Sequence, residues 1–145
     1  MLEKNELKQK SILSLAYLGD AVYELLVREY LAVHSNNPPA RLHQITTMIV
    51  CSQAQSEALA LIESMLTEEE AAIVKRGRNS SKAMIPKNST PRFYRAATAL
   101  EALFGYLELI DNQKRIKQLF QVILNKQILS YIELNTKEQG NVERS

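Results

Sequence analysis

Apolar residues recur every three to four positions along most of the chain, and no alternating run persists. Helices rather than strands are therefore the predicted elements. Residues 8–33 read as one long helix or two shorter ones, with Leu13, Tyr17, Val22, Leu25, Leu26 and Tyr30 at helical spacing. Asn36, Asn37, Pro38 and Pro39 break it. A helix over about 40–50 carries Leu42, Ile45, Ile49 and Val50, and another over about 52–65 carries Ala54, Ala58, Leu61 and Ile62. Thr67 and Glu70 have capping-box spacing at the head of a helix over about 67–77. Glu68, Glu69 and Glu70 sit at its positive end, and Lys75 and Arg76 at its negative end, as the helix dipole favours. These glutamates are read as structural. Residues 77–90, GRNSSKAMIPKNST, lack periodicity and predict a long loop. Thr90 as cap and Pro91 in the first position then start a helix to about 109. A last helix over 113–134 has Ile116, Leu119, Phe120, Ile123, Leu124, Ile128 and Tyr131 on its apolar face. From Thr136 the tail is polar. The pattern predicts an all-α helical bundle, one domain over residues 1–145.

Composition supports that reading: 46% of the 145 residues are hydrophobic, enough for one sizeable core. The net charge of +2 says little, but its distribution is uneven. Residues 1–70 carry 5 basic and 10 acidic groups, residues 71–100 carry 7 basic and none acidic, and residues 101–145 carry 6 of each. The positive charge is thus local, which suits a patch that meets an anion. Cys51 is the single cysteine, so no internal disulfide forms, and a reducing cytoplasm is the expected location. Its apolar neighbours predict a buried thiol. The N-terminus, MLEKNELKQK, lacks the apolar core of a signal peptide, and no apolar run reaches the ~20 residues of a membrane span. No membrane partner is expected.

Two carboxylates interrupt this apolar pattern. Asp20 lies in LAYLGDAVYELLV and Glu101 in AATALEALFGYL. An ionised carboxylate away from water is costly unless a partner or metal offsets it. Gly19 and Ala21 flank the first; Ala97, Ala102 and Gly105 surround the second. Small residues let helix backbones approach, so two such helices could bring both carboxylates to one point, as a hard-cation site requires. A buried salt bridge or a polar packing contact is the other reading of each acid, and on the residues alone it comes before the metal. Glu24, one turn from Arg28, could simply pair with it. Thr98, one turn before Glu101, could add a hydroxyl or hold a water. Arg95 could approach Glu101, though six residues is poor helical spacing for a direct pair.

The basic stretch between them is the stronger signal. Lys75, Arg76, Arg78, Lys82, Lys87, Arg92 and Arg95 arrive with no acid among them, accompanied by Gly77, Asn79, Ser80, Ser81, Asn88 and Ser89. That mixture suits phosphate contacts spread along a nucleic-acid backbone; the other reading is a solvated basic face. No Walker loop, glycine-rich dinucleotide turn or paired-cysteine motif is present. His34 and His43 stand alone and are read as surface or structural residues.

The segment LAYLGDAVYELLVREYL, residues 15–31, resembles the signature helix of the ribonuclease III family, and YRAATALEALFGYLEL, residues 94–109, resembles its second catalytic helix. Their order, their spacing and the chain length are similar to the Mini-ribonuclease III subfamily, which has the catalytic domain without a double-stranded RNA-binding domain. Val74 to Asn79, followed by Pro86, Lys87 and Asn88, adds to the likeness, which covers roughly residues 10–130. The resemblance implies the ribonuclease III catalytic (endonuclease) domain fold and a Mg²⁺-dependent endoribonuclease for double-stranded RNA, with Mn²⁺ as a substitute. It implies Asp20 and Glu101 as catalytic residues and metal ligands. The basic stretch would then supply the RNA contacts, from Lys75, Arg76, Arg78, Asn79, Lys82, Lys87, Arg92 and Arg95, and the resemblance implies a homodimer with Tyr17 at its interface. It also implies precursor 23S (large-subunit) ribosomal RNA as substrate, and leaves room for a ribosomal protein that presents it. One departure stands out: full-length ribonuclease III enzymes carry further acids where this chain has Leu13, Ala16 and Thr98. Two carboxylates remain, and a non-catalytic double-stranded RNA-binding module is the alternative they leave open. A helical interaction protein with no nucleic-acid partner is a more distant one.

Overall fold

The computed structural model describes residues 2–80 and 85–135. Seven α-helices carry most of the described chain: α1 (Lys4–Leu7), α2 (Ile12–His34), α3 (Pro39–Val50), α4 (Ser52–Ile62), α5 (Glu68–Ser80), α6 (Pro91–Leu109) and α7 (Gln113–Ile123). No strand occurs among the described residues, and no single helix is long and apolar enough to cross a membrane.

The bundle is built around α6. Its residues 96–100 and 102–107 are all buried, and a helix that is apolar all round belongs at the centre of a core. α2, α4, α5 and α7 pack against it. Against α2 the approach is unusually close: a Cβ at Gly19 would lie 1.5 Å from the Glu101 carbonyl oxygen, and one at Gly105 1.9 Å from that of Leu15. Against α5, a Cβ at Gly77 would lie 2.6 Å from the Ala99 Cα. Glycine is required at these crossings because the backbones themselves are in contact. Beyond them, the Tyr23 ring meets Phe104 and Phe120 edge-on, with centroids 5.3 and 5.9 Å apart, an arrangement that favours aromatic pairs.

Polar contacts fix the helix ends. The expected capping box forms: the Thr67 amide donates to Glu70 Oε1 at 2.9 Å, and the Glu70 amide to Thr67 Oγ1 at 3.2 Å. Glu70 is also gripped by Arg115 of α7 through two hydrogen bonds of 2.8 and 2.9 Å, with side-chain exposures of 5% and 16%. Burial alone would raise the Glu70 carboxyl; the hydrogen bonds from Arg115 and Thr67 outweigh it and hold it below the usual range. Glu69 accepts from Lys4 at 3.0 Å and from the Tyr106 hydroxyl at 3.3 Å. These contacts make Glu69 and Glu70 structural parts of the first turn of α5.

Several expectations need correction. The first helical stretch breaks over 8–11, between α1 and α2. On α2 the buried face is Ile12, Leu15, Ala16, Gly19, Tyr23, Val27 and Leu31, whereas Leu13, Tyr17 and Leu25 are exposed. Residues 63–65 close α4 as a 3₁₀ turn. α5 continues through Gly77, Arg78, Asn79 and Ser80, so the predicted loop is shorter at its start; packing of Gly77 on Ala99 carries the helix through a polar segment. Thr90 precedes α6 without a side-chain capping bond. The last helix holds a π turn, Leu124–Ile128, before resuming over 129–135. That turn accompanies a bond from Gln127 Nε2 to the Ala54 carbonyl at 2.8 Å. Cys51 is exposed rather than buried, because it sits at the α3–α4 joint instead of inside a helix face.

Candidate active site

The α2–α6 crossing brings Asp20 and Glu101 together. Gly19 precedes Asp20 and packs on the Glu101 carbonyl, so a close backbone contact between α2 and α6 adjoins both acids. Asp20 is exposed and Glu101 half-buried. Burial, then the charge of Asp20 and a hydrogen bond with it, push the Glu101 carboxyl up to about 8. Among the described residues no lysine or arginine forms an ion pair with either acid. The buried salt bridge weighed for each acid is thus absent from the described residues.

Two adjacent hard-oxygen donors without a counter-cation fit a divalent ion of the Mg²⁺ class, which is often held by one or two carboxylates plus waters and phosphate. No group of three or more acid, histidine or cysteine side chains capable of holding a metal occurs among the described residues. Glu24 pairs with Arg28 at 3.2 Å. The Thr98 hydroxyl donates to the Tyr94 carbonyl at 3.0 Å. Arg95 is half-buried, with an Nε that is buried and unpartnered, and forms no ion pair with Glu101.

The basic residues divide. Lys75, Asn79, Lys87 and Arg92 are exposed. Arg76 is also exposed but donates to the Lys10 carbonyl at 3.2 Å, tying down the segment before α2. Arg78 forms an ion pair with Glu63, so the basic stretch does have one compensating acid, from outside it in sequence. Lys82 and Ser81 lie outside the described residues. His34 and His43 are both exposed; His34 stacks on Tyr30 at 4.1 Å, and its Nδ1 lies 3.0 Å from the Tyr30 carbonyl.

Tyr17, 85% exposed, shares the outer side of α2 with Leu13 and Leu25. Helical spacing of Leu13, Tyr17 and Leu25 in the sequence does not by itself distinguish this outward apolar side from the buried stripe. The available signal was the excess of apolar residues on α2 beyond one buried stripe.

A family model described as the ribonuclease III domain matches residues 13–112. Mini-ribonuclease 3 of Enterococcus faecalis is 40% identical over 121 residues, covering 82% of this chain and 92% of that protein. Mini-ribonuclease 3 of Streptococcus pneumoniae is 38% identical over 116 residues, covering 79% and 91%. A crystal structure of a protein from Fusobacterium nucleatum superposes with a TM-score of 0.75 at 31% identity, covering 83% of this chain and 96% of that one. The match spans the α2–α6 crossing and both carboxylates, and the chain belongs to the ribonuclease III family, among its Mini-ribonuclease 3 members.

Proposed function

We propose that this chain is a Mg²⁺-dependent endoribonuclease that cuts double-stranded RNA, with Asp20 and Glu101 as its metal ligands. The observation that carries the proposal is the meeting of these two carboxylates at a glycine-lined helix crossing with no cation of the described chain to offset them. A bound divalent cation would supply an activated water and stabilise charge on the phosphate and the leaving oxygen. The chain supplies placement. Glycines at 19 and 105 let the two backbones touch, which holds the helix positions that carry the two carboxylates close together. Exposed Lys75, Lys87 and Arg92 meet the phosphate backbone, and Arg76, Arg78, Lys82 and Arg95 extend the basic stretch. Double-stranded RNA shows phosphates and 2′-hydroxyls across a shallow minor groove, so recognition is chiefly of shape.

The proposal extends to a homodimer in the cytoplasm, whose two sites cut opposite strands. Leu13, Tyr17 and Leu25, exposed on the helix that carries Asp20, support a second copy covering that face. The family resemblance supports precursor 23S ribosomal RNA as the natural substrate, with a ribosomal protein to present it and Mn²⁺ able to replace Mg²⁺. The test is cleavage of a duplex RNA by wild type with Mg²⁺, by wild type in excess chelator, and by Glu101→Gln, with circular dichroism to verify folding. The proposal expects cleavage only in the first; folded Glu101→Gln that cuts at the wild-type rate removes Glu101 from the site.

A further inference from the structure

We infer that the cleft between α1 and α5 is a second ligand site, separate from the carboxylate pair, that takes a nucleoside 5′-monophosphate and shares Arg76 with the RNA. The site stands on its own lining; only the sharing of Arg76 rests on the RNA reading proposed above.

The cleft measures about 520 Å³, within the roughly 300–1,000 Å³ of small-molecule sites. Neither Asp20 nor Glu101 lines it. Its walls are held from both ends. Lys4 pairs with Glu69 at 3.0 Å, and Arg76 donates to the Lys10 carbonyl at 3.2 Å. Between them Leu7, 1% exposed, anchors α1 in the core. A preformed cleft spares a ligand the cost of ordering it. Leu7, Ala72 and Ile73 give it an apolar floor, which suits a planar base.

Its charges are spread lengthwise. Glu69 is already matched by Lys4 and the Tyr106 hydroxyl. Among the described residues Glu68, Lys8 and Arg76 form no ion pair. Glu68 and Arg76 stand eight residues apart on α5, about 12 Å along a helix axis. Lys8 lies four residues past Lys4, toward the Arg76 end. A nucleoside monophosphate answers this layout. Its hydroxyls and exocyclic amine donate to Glu68, and its phosphate accepts from Arg76 and Lys8. Free phosphate would leave the apolar floor uncovered, and a nucleoside alone would leave both cations unmatched. The Arg76 guanidinium carries five donors, so it can hold the Lys10 carbonyl and the nucleotide together. An RNA phosphate then loses it as a partner.

Isothermal titration calorimetry of the full chain in chelator compares adenosine 5′-monophosphate, adenosine and inorganic phosphate. The monophosphate should bind with one-to-one stoichiometry. Adenosine and phosphate should each bind at least about tenfold more weakly, as loss of charge-assisted hydrogen bonds or of apolar contact implies. Amide shifts in nuclear magnetic resonance should centre on Leu7, Ala72 and Ile73, and Lys8→Gln should weaken binding by a similar factor. Ala72→Trp, which fills the cleft from an exposed position, should abolish it; if that variant fails to fold, Lys8→Gln and the shifts decide. Asp20→Asn should bind as wild type, so failure of the carboxylate site leaves this one untouched. Fluorescence anisotropy of a labelled duplex RNA, also in chelator, should show weaker RNA binding by wild type when the monophosphate is saturating, and no such effect in Ala72→Trp. Monophosphate bound with RNA affinity unchanged overturns the sharing of Arg76 and leaves the site. No binding, adenosine binding as tightly as its monophosphate, or binding that survives Ala72→Trp and is lost in Asp20→Asn overturns the site itself.

Discussion

Gly19→Ala puts a methyl carbon 1.5 Å from the Glu101 carbonyl oxygen and 2.8 Å from the Gly105 amide nitrogen. Ordinary contact begins near 3.4 Å, so α2 and α6 must separate by about 2 Å locally. Both obstructing atoms are backbone, and no rotamer change relieves them. Overpacking costs roughly 1–3 kcal/mol, and the upper end applies where nothing can yield. Alanine recovers about 1 kcal/mol over glycine through helix propensity. The net loss is about 2 kcal/mol, or a fall in Tm of roughly 4–8 °C for a chain of this size. Activity should fall further than stability, because displacing a reacting group by about 1 Å can cost roughly 100-fold in rate. Thermal unfolding by circular dichroism and initial rates of duplex-RNA cleavage, measured where the variant is fully folded, separate the two effects. Propensity alone predicts a more stable protein, so Gly19→Ala that is as stable as wild type, or that cuts at the wild-type rate, refutes the close crossing as the feature that positions the carboxylates.

Three further outcomes follow from the same structure. Tyr23 is fully buried with an unpartnered hydroxyl; leaving such a group unpaired costs about 1–3 kcal/mol, so Tyr23→Phe should raise the urea midpoint, and a clear fall would reveal a missed partner. Glu101 titrates from the ordinary 4.5 up to about 8 in the fold. Between these values the folded protein holds a proton that the unfolded chain releases, so in chelator stability should decline as pH rises through that window; Glu101→Gln should flatten the slope, and an equal slope in that variant contradicts the assignment. Lys87→Gln and Arg92→Gln, at exposed positions, should each weaken RNA binding and reduce its salt slope by about one. Arg78→Gln, already paired with Glu63, should change it less; an effect equal to that of Lys87→Gln would show the pair opens on RNA.

The meeting of Asp20 and Glu101 was legible in the glycines and alanines around them, which let the helices cross closely, although Asp20 is exposed rather than buried. Helix limits marked by Pro38, Pro39 and Pro91, and the Thr67–Glu70 box, were local chemistry and came through. What escaped depended on tertiary packing. Periodicity cannot separate an apolar residue facing the core, such as Leu15, from one facing outward, such as Leu13 or Leu25. The polar run from Gly77 to Ser80 became helical because Ala99 lies beneath Gly77. The pairing of Arg78 with Glu63 joins residues on different elements, which a count of charges along the chain misses. Cys51 has apolar neighbours in sequence yet falls at a joint between helices, where its thiol meets solvent.

Cleavage of a long double-stranded RNA in Mg²⁺ by wild type and by Asp20→Asn, purified side by side and matched for folded content, tests the central claim most directly. The account predicts cutting by wild type and none by a folded, RNA-binding Asp20→Asn. Equal cutting by both would contradict the placement of the active site at the α2–α6 crossing, and RNA bound but uncut by either would favour a binding module over an enzyme.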